Sequence, residues 1–295
     1  MKRFRFKKLD AFAEGRASGN PAGCVYLRKK SDISEEEMQR IARELKGYVS
    51  ETVFLFSEDN AVRLRYYSSE CEVDFCGHGT IAMIYDYIAN RPELLAMDEV
   101  TIRVKEEELS VKNRIPQENS VYITAPKPVY HPMHLEQSAI NQALGINLWE
   151  LDGEFEPALI NGGLNTLIVP VAGLQTALSM RPDEASLKAF CLDNQMDIVL
   201  IFCRERSKRE SGFRTRVFAP KFGYLEDPAT GSGNSAFGYY LLKTGKWDGA
   251  PILIEQGPSR EDPNIIRLMA EEKEGTMRVL FGGGAVVRID GEYCL

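Results

Sequence analysis

The chain opens with "MKRFRFKKLDAF", whose apolar and polar positions alternate in steps of two, the pattern of a half-buried strand. The period changes over 33–47, "ISEEEMQRIARELKG". Met38, Ile41, Ala42 and Leu45 recur three and four apart and so share one face of a helix. Ser34 and Glu37 form a capping-box pair at its start, and Gly47 suits its end. "TVFLF" (52–56) is apolar without interruption and predicts a buried strand, while "RLRYYS" (63–68) alternates again. Then comes "DFCGHGTIAMIYDYI" (74–88). There a thiol, an imidazole and two glycines stand before a helix that is apolar nearly all round.

The succession returns in the second half. "NGGLNTLIV" (161–169) parallels "GNPAGCVYL" (19–27), "PDEASLKAFCLDN" (182–194) reads as a helix and "IVLIF" (198–202) as a strand. "RTRVFA" (214–219) then leads through a glycine-rich step into "TGSGNSAFGYYLL" (230–242). Such recurrence in one order predicts duplication of a unit of roughly 150 residues. The expected fold is α+β, with two similar domains. Each is a mixed sheet or barrel around a central apolar helix, 80–89 or 235–242, with an amphipathic helix, 34–46 or 183–193, at the surface. The first domain is placed at 1–117 plus about 280–295 and the second at 118–279, with the link near "NRIPQENS" (113–120). After 245, "PILIEQG" and "MRVLFGGGAVVRIDGEY" are strand-like, and one of them is expected to cross back to the first sheet.

Composition narrows the function classes. With 44% hydrophobic and 27% charged residues over 295 positions, the chain reads as a globular protein with ample core. A net charge of −7 gives no basic footprint for nucleic acid or an anionic membrane. No apolar run approaches spanning length, and the first residues lack a signal peptide's apolar core. Six unevenly spaced cysteines suggest free thiols in a reducing cytoplasm.

The candidate chemistry lies at the two glycine-rich helix starts, Gly77–Gly79 and Gly231–Gly233. A helix N-terminus presents unpaired N–H groups and a partial positive charge, so it suits a carboxylate or the enolate-like charge left when a proton leaves carbon. If the halves face one another, both starts open onto one cleft. Other patterns carry less. His131 and His134 form H-x-x-H, but Pro132 stands between them without a third ligand, and no metal is expected. Cys71 and Cys76 lack a second pair, "FGGGAVV" (281–287) reads as a strand bend, and "KEEE" and "EEKE" are solvated charge runs.

"SETVFLF" with Glu51, "FCGHGT" with His78, "EDPATGS" with Asp227 and Ser232, and the late "EQG…R" together resemble the PhzF (phenazine biosynthesis-like) family. The motifs run in order along nearly the whole chain, from "GNPAG" to "GGGAVVRIDGE". The resemblance implies the diaminopimelate epimerase-like fold, cofactor-free proton transfer between carbon atoms of a small carboxylate, and an isomerase. It places the acid/base role on Glu51, with His78, Asp227 and Ser232 around the proton path. Gly77, Gly79 and Gly231 would receive the substrate's carboxylate, with Asn20, Thr80 and Gly233 as further substrate-binding candidates. Racemases of this fold group use a thiol from each half, but Thr230 stands opposite Cys76 and is too weak an acid or base for that task. Cys76 is therefore read as packing or pocket lining. Gly79, where the pattern usually shows alanine or proline, is read as a change that could open the pocket.

Plainer roles compete at these positions. Asp227 can start the turn of "DPATG", Ser232 can cap the helix, and Asp197, the counterpart of Glu51, is expected to be exposed. Two rival functions fit the same residues: a non-catalytic carboxylate-binding protein on the same scaffold, and a thiol hydrolase using Cys76 and His78. The second is disfavoured because one residue between the two across a helix start places them poorly for pairing. Pairing of two copies through an exposed sheet edge, giving a homodimer, is the one oligomer the pattern suggests.

Overall fold

The computed structural model describes residues 1–58 and 61–295. The chain divides into two compact units, residues 1–124 with 282–295, and residues 125–281. Among the described residues, no helix is long and apolar enough to cross a membrane.

In the first unit β1 (Arg3–Ala11) lies antiparallel to both β18 (Ala285–Cys294) and β2 (Asn20–Tyr26). Helix α1 (Glu35–Glu44) then carries the chain over to β3 (Glu51–Glu58), which is parallel to β2. The capping box forms as expected, with Ser34 Oγ accepting from the Glu37 N–H and the Glu37 carboxylate accepting from the Ser34 N–H. β4 (Ala61–Tyr67) returns antiparallel to β3, and β5 (Glu72–Val73) pairs with its end. Helix α2 (Gly77–Ala89) and the single turn α3 (Pro92–Leu95) make the second crossover, to β6 (Glu99–Val104), parallel to β4. β7 (Glu107–Arg114), the turn α4 (Ile115–Glu118) and β8 (Ser120–Thr124) complete the unit.

Strand alternation sorts the side chains between two layers. Phe4, Phe6, Val25, Leu27, Phe54 and Phe56 pack with Met38, Ile41 and Ala42 of α1. The opposite face meets α2, which touches β1, β2, β3, β8 and β18 and buries Ile81, Ala82, Met83, Ile84 and Ile88. Each such large side chain contributes about 1.5–3 kcal/mol on leaving water, so burial rather than helix propensity holds α2. The run "FGGG" has its own cause. A Cβ on Gly282 would lie 2.5 Å from the Val121 carbonyl oxygen, so only glycine permits that close approach.

The second unit follows the same order of connections. β9 (Val129–His131), β10 (Ala158–Asn161) and β11 (Asn165–Pro170) are successive antiparallel neighbours, with α5 (Gln137–Leu144) between β9 and β10. Helices α6 (Leu174–Ser179) and α7 (Glu184–Asp193) cross to β12 (Ile198–Cys203), parallel to β11. β13 (Ser211–Phe218) returns antiparallel, and the short β14 (Glu226–Asp227) pairs with its end. Helix α8 (Gly231–Lys243) then crosses to β15 (Ile252–Gln256), parallel to β13, followed by β16 (Asn264–Lys273) and β17 (Thr276–Gly283). One face of this sheet packs Leu167, Val169, Val199 and Ile201 against α5, α6 and α7. On the other, Phe237 and Tyr240 of α8 meet Phe202, with Phe213 edge-on to Phe237. α2 and α8 are thus both enclosed crossovers whose first turns begin with glycine.

Candidate active site

Glu51 is the first residue of β3 and Cys76 is the N-cap of α2, so the strand and helix starts bring their side chains together. Glu51 Oε2 lies 3.2 Å from His78 Nε2, and Cys76 Sγ lies 3.4 Å from His78 Nδ1. The sulfur is also 3.9 Å from Glu51 Oε2 and accepts the Gly79 N–H at 3.3 Å, so a thiol serves as the helix cap. The result is a chain of three groups, carboxylate to imidazole to thiol. His78 and Glu51 expose only 12% and 21% of their side chains, so water does little to weaken these contacts.

This overturns one expectation. Spacing alone places Cys76 and His78 poorly for pairing, yet the extended backbone at Cys76 swings its sulfur back over the first turn, against the ring. Gly79 also differs from expectation: it does not open a pocket. A Cβ there would lie 2.7 Å from Val53 Cγ2 and 3.0 Å from Cys76 Sγ, so the missing methyl lets β3 and the capping sulfur approach the helix.

Burial pushes the Cys76 thiol up from its ordinary value, against the pull of the neighbouring imidazole. For His78 burial works in the opposite sense and disfavours the imidazolium. The Cys76 sulfur and the Glu51 carboxylate outweigh it and hold the ring well above its usual range. The three donor atoms lie within 4.8 Å of one another, close enough to raise the question of a metal ion. However, the sulfur is nearest one ring nitrogen and the carboxylate nearest the other. The sulfur is also 3.8 Å from His78 Nε2, so the three groups are compact enough either to share a proton path or to hold an ion.

The remaining candidates of the first unit separate into two kinds. The N–H of Gly79 is engaged by sulfur. Thr80 is fully buried, its hydroxyl donating to the Cys76 carbonyl at 2.7 Å and meeting Tyr66 Oη at 2.7 Å. Thr80 therefore braces the helix start from behind. The N–H groups of Gly77 and His78 precede the first internal bonds of α2, whose Thr80 N–H is the first to reach back, to Cys76. Asn20 starts β2, is almost wholly buried and accepts from Ser50 Oγ at 3.4 Å, beside the residue that precedes Glu51.

At the start of α8 the cap position belongs to Thr230, so Ser232 lies inside the first turn and is not the cap. Thr230 Oγ1 donates to Asp227 Oδ2 at 2.6 Å. Gln256 ties the segment together. Its Oε1 accepts from the Thr230 N–H and from Asn234 Nδ2, and its Nε2 donates to the Asp227 carbonyl. Gln256 belongs to the motif "EQG", to which the sequence reading assigns no role, and nothing in the sequence marks Asn234 as its partner. Gly231 lies against the Phe281 ring and Gly233 against Ile198, so both are packing glycines whatever else they do. Asp197 is half-buried rather than exposed. It accepts from the Asn165 N–H and pairs with Lys221 Nζ at 2.6 Å, because the strand start it occupies is packed against the loop of Lys221.

Two enclosed crossover helices, each entered through glycine from a mixed sheet, define the α+β epimerase and proline-racemase type of fold. A hydroxyproline epimerase from Agrobacterium vitis shares it with a TM-score of 0.59 over 99% of this chain and 91% of its own, at 12% identity. The model of the phenazine biosynthesis-like (PhzC-PhzF) proteins matches residues 9–291, and the chain belongs to that family. A PhzF-family protein of Bacillus anthracis superposes over 100% of both chains with a TM-score of 0.88 and 25% identity. "Uncharacterized isomerase YfhB" of Bacillus subtilis is 30% identical over 290 residues, covering 97% of each chain.

Proposed function

We propose that the protein is a cofactor-independent isomerase that takes a proton from an activated C–H of a small carboxylate and returns it at another carbon. The observation that carries this reading is the 3.2 Å contact between Glu51 and His78 at the mouth of α2. Glu51 is the proton carrier, and His78, whose pKa is raised by its neighbours, orients the carboxylate and stabilises negative charge as it develops. The Gly77 and His78 amides receive the substrate's carboxylate. Asp227 and Ser232 enter the proposal as the polar groups at the mouth of α8, with Asn20, Gly79, Thr80, Gly231 and Gly233 shaping the two helix starts. The names of relatives such as YfhB support isomerase chemistry.

The test is proton NMR in deuterated water with a panel of small 2-amino and unsaturated carboxylic acids. One or more should gain deuterium at carbon, and Glu51→Gln should lower that rate by at least about 10²-fold, since an amide cannot shuttle protons. Incorporation by Glu51→Gln at the native rate removes Glu51 from the role. The 3.4 Å contact of Cys76 with His78 favours one second reading, a thiol nucleophile with His78 as base. Against it stand the thiol's raised pKa and the sulfur's engagement with Gly79. Loss of activity on alkylation of Cys76, with Cys76→Ala equally inactive, is the result that would favour it.

A further inference from the structure

The turn joining β12 to β13 reads "RERSKRE" (204–210), a concentration of cations in a chain of net charge −7. In sequence, only two residues, "DN" (59–60), lie between β3 and β4, so the basic extension is peculiar to the second unit. A cavity of about 480 Å³ opens beside it, lined by Arg206, Lys208, Arg209 and, from the loop after β15, Arg260. This volume falls within the roughly 300–1,000 Å³ of small-molecule sites, but the lining is cationic rather than apolar.

The two basic rims are tied together from beneath. Arg214 and Glu255 form an ion pair that is wholly buried, at 3.0 Å. The Glu255 carboxylate accepts the N–H groups of Ser207 and Lys208 at 2.9 and 2.6 Å, fixing one rim. The Arg214 guanidinium donates to the carbonyls of Gly257 and Ser259, fixing the segment that presents Arg260. Such a pair keeps both backbones in place before any ligand arrives, which lowers the ordering cost of binding.

The side chains above this frame are free to act. No ion pair holds Lys208, Arg209 or Arg260 among the described residues, and Arg206 touches only the Arg204 carbonyl. One carboxylate lines the cavity, that of Glu205, and it is engaged by the Leu174 N–H at 2.8 Å. The Ser207 and Lys208 N–H groups are already taken by Glu255, so an anion here is recognised by guanidinium and ammonium groups and not by a backbone nest.

We propose that this cavity is a binding site for a small polyphosphorylated ligand, one carrying two or three linked phosphates. Guanidinium forks suit phosphate oxygens in pairs, and several fixed cations select a chain of phosphates over a single anion. The site lies at the far end of the sheet from Asp227. Asp227 pairs with Val217, and Arg214 with Cys203, so several residues of strand, roughly 10–15 Å at the rise of a β-strand, separate the two ends. The inference does not depend on the isomerase reading.

The experiment is calorimetric titration of the full chain with inorganic tripolyphosphate, ATP and sulfate at low ionic strength. Tripolyphosphate should bind saturably, and K208A/R209A/R260A should weaken it at least about tenfold while thermal unfolding is little changed, since Arg209 and Arg260 are exposed and Lys208 is half-buried without an ion pair among the described residues. ATP matching tripolyphosphate identifies the phosphate chain as the whole ligand; ATP binding more tightly identifies a nucleotide. No saturable binding by the native protein overturns the proposal. So does equal binding by the triple variant, or sulfate competing as well as tripolyphosphate at equal charge.

Discussion

Replacing Asp86 by alanine should destabilise the first unit by about 4 kcal/mol, within the 3–5 kcal/mol typical of an isolated buried charge. Asp86 lies on α2 with 5% exposure and Lys7 on β1 with 8%. The Lys7 ammonium donates to both carboxylate oxygens, at 2.7 and 2.8 Å, the Tyr26 hydroxyl donates at 2.6 Å and Asn90 Nδ2 at 3.1 Å. Alanine would strand the ammonium without a counter-charge and leave the Tyr26 hydroxyl without its acceptor, the latter worth about 1 kcal/mol. Lys7→Met should be milder, about 2–3 kcal/mol, because Tyr26 and Asn90 still solvate the carboxylate. The double variant K7M/D86A removes both charges together and should lose less than the two singles summed, a coupling of about 2 kcal/mol or more. Both tryptophans, Trp149 and Trp247, fall in the second unit, so fluorescence would miss this change. Urea unfolding followed by hydrogen exchange of the α2 amides reports it. A loss below about 1 kcal/mol for Asp86→Ala, or a double variant as unstable as the summed singles, would refute the reasoning.

Two further outcomes follow from the helix start. Gly79→Ala should lose about 1–2 kcal/mol, the overpacking against Val53 and Cys76 exceeding the gain in helix propensity. It should also slow proton exchange by shifting the capping sulfur, and an alanine variant more stable than native would contradict the contact. The folded-state pKa of His78 lies above the free imidazole value of about 6.5. Its contribution to stability is therefore complete below about pH 6.5 and lost as pH rises through the folded pKa. Stability measured across that window should fall in the native protein and fall less in His78→Gln; equal slopes would contradict the assignment.

Much of the architecture was legible because burial imposes periods on the chain. Alternation at Phe4 and Phe6 and the three-four spacing of Met38, Ile41 and Ala42 marked the elements that now pack together. The unbroken apolar runs marked the enclosed helices α2 and α8. The Glu51–His78 contact was legible only as a resemblance, since 26 intervening residues separate positions whose meeting depends on the β3–β4–α2 path. Charges inside the fold were not legible. Asp86 looks like a flaw in an apolar helix until Lys7 is seen across from it, and Arg214 and Glu255 give no sign of each other in sequence. Cys76 was misjudged for a similar reason: spacing does not reveal a backbone that turns its sulfur onto the ring.

The most direct measurement of the central claim is an NMR titration of the imidazoles, tractable because the chain has three histidines. His78 should titrate above the free imidazole value of about 6.5, and Glu51→Gln should lower its pKa. A His78 that titrates at or below the free value, unmoved by Glu51→Gln, would show that carboxylate and imidazole do not share a proton path.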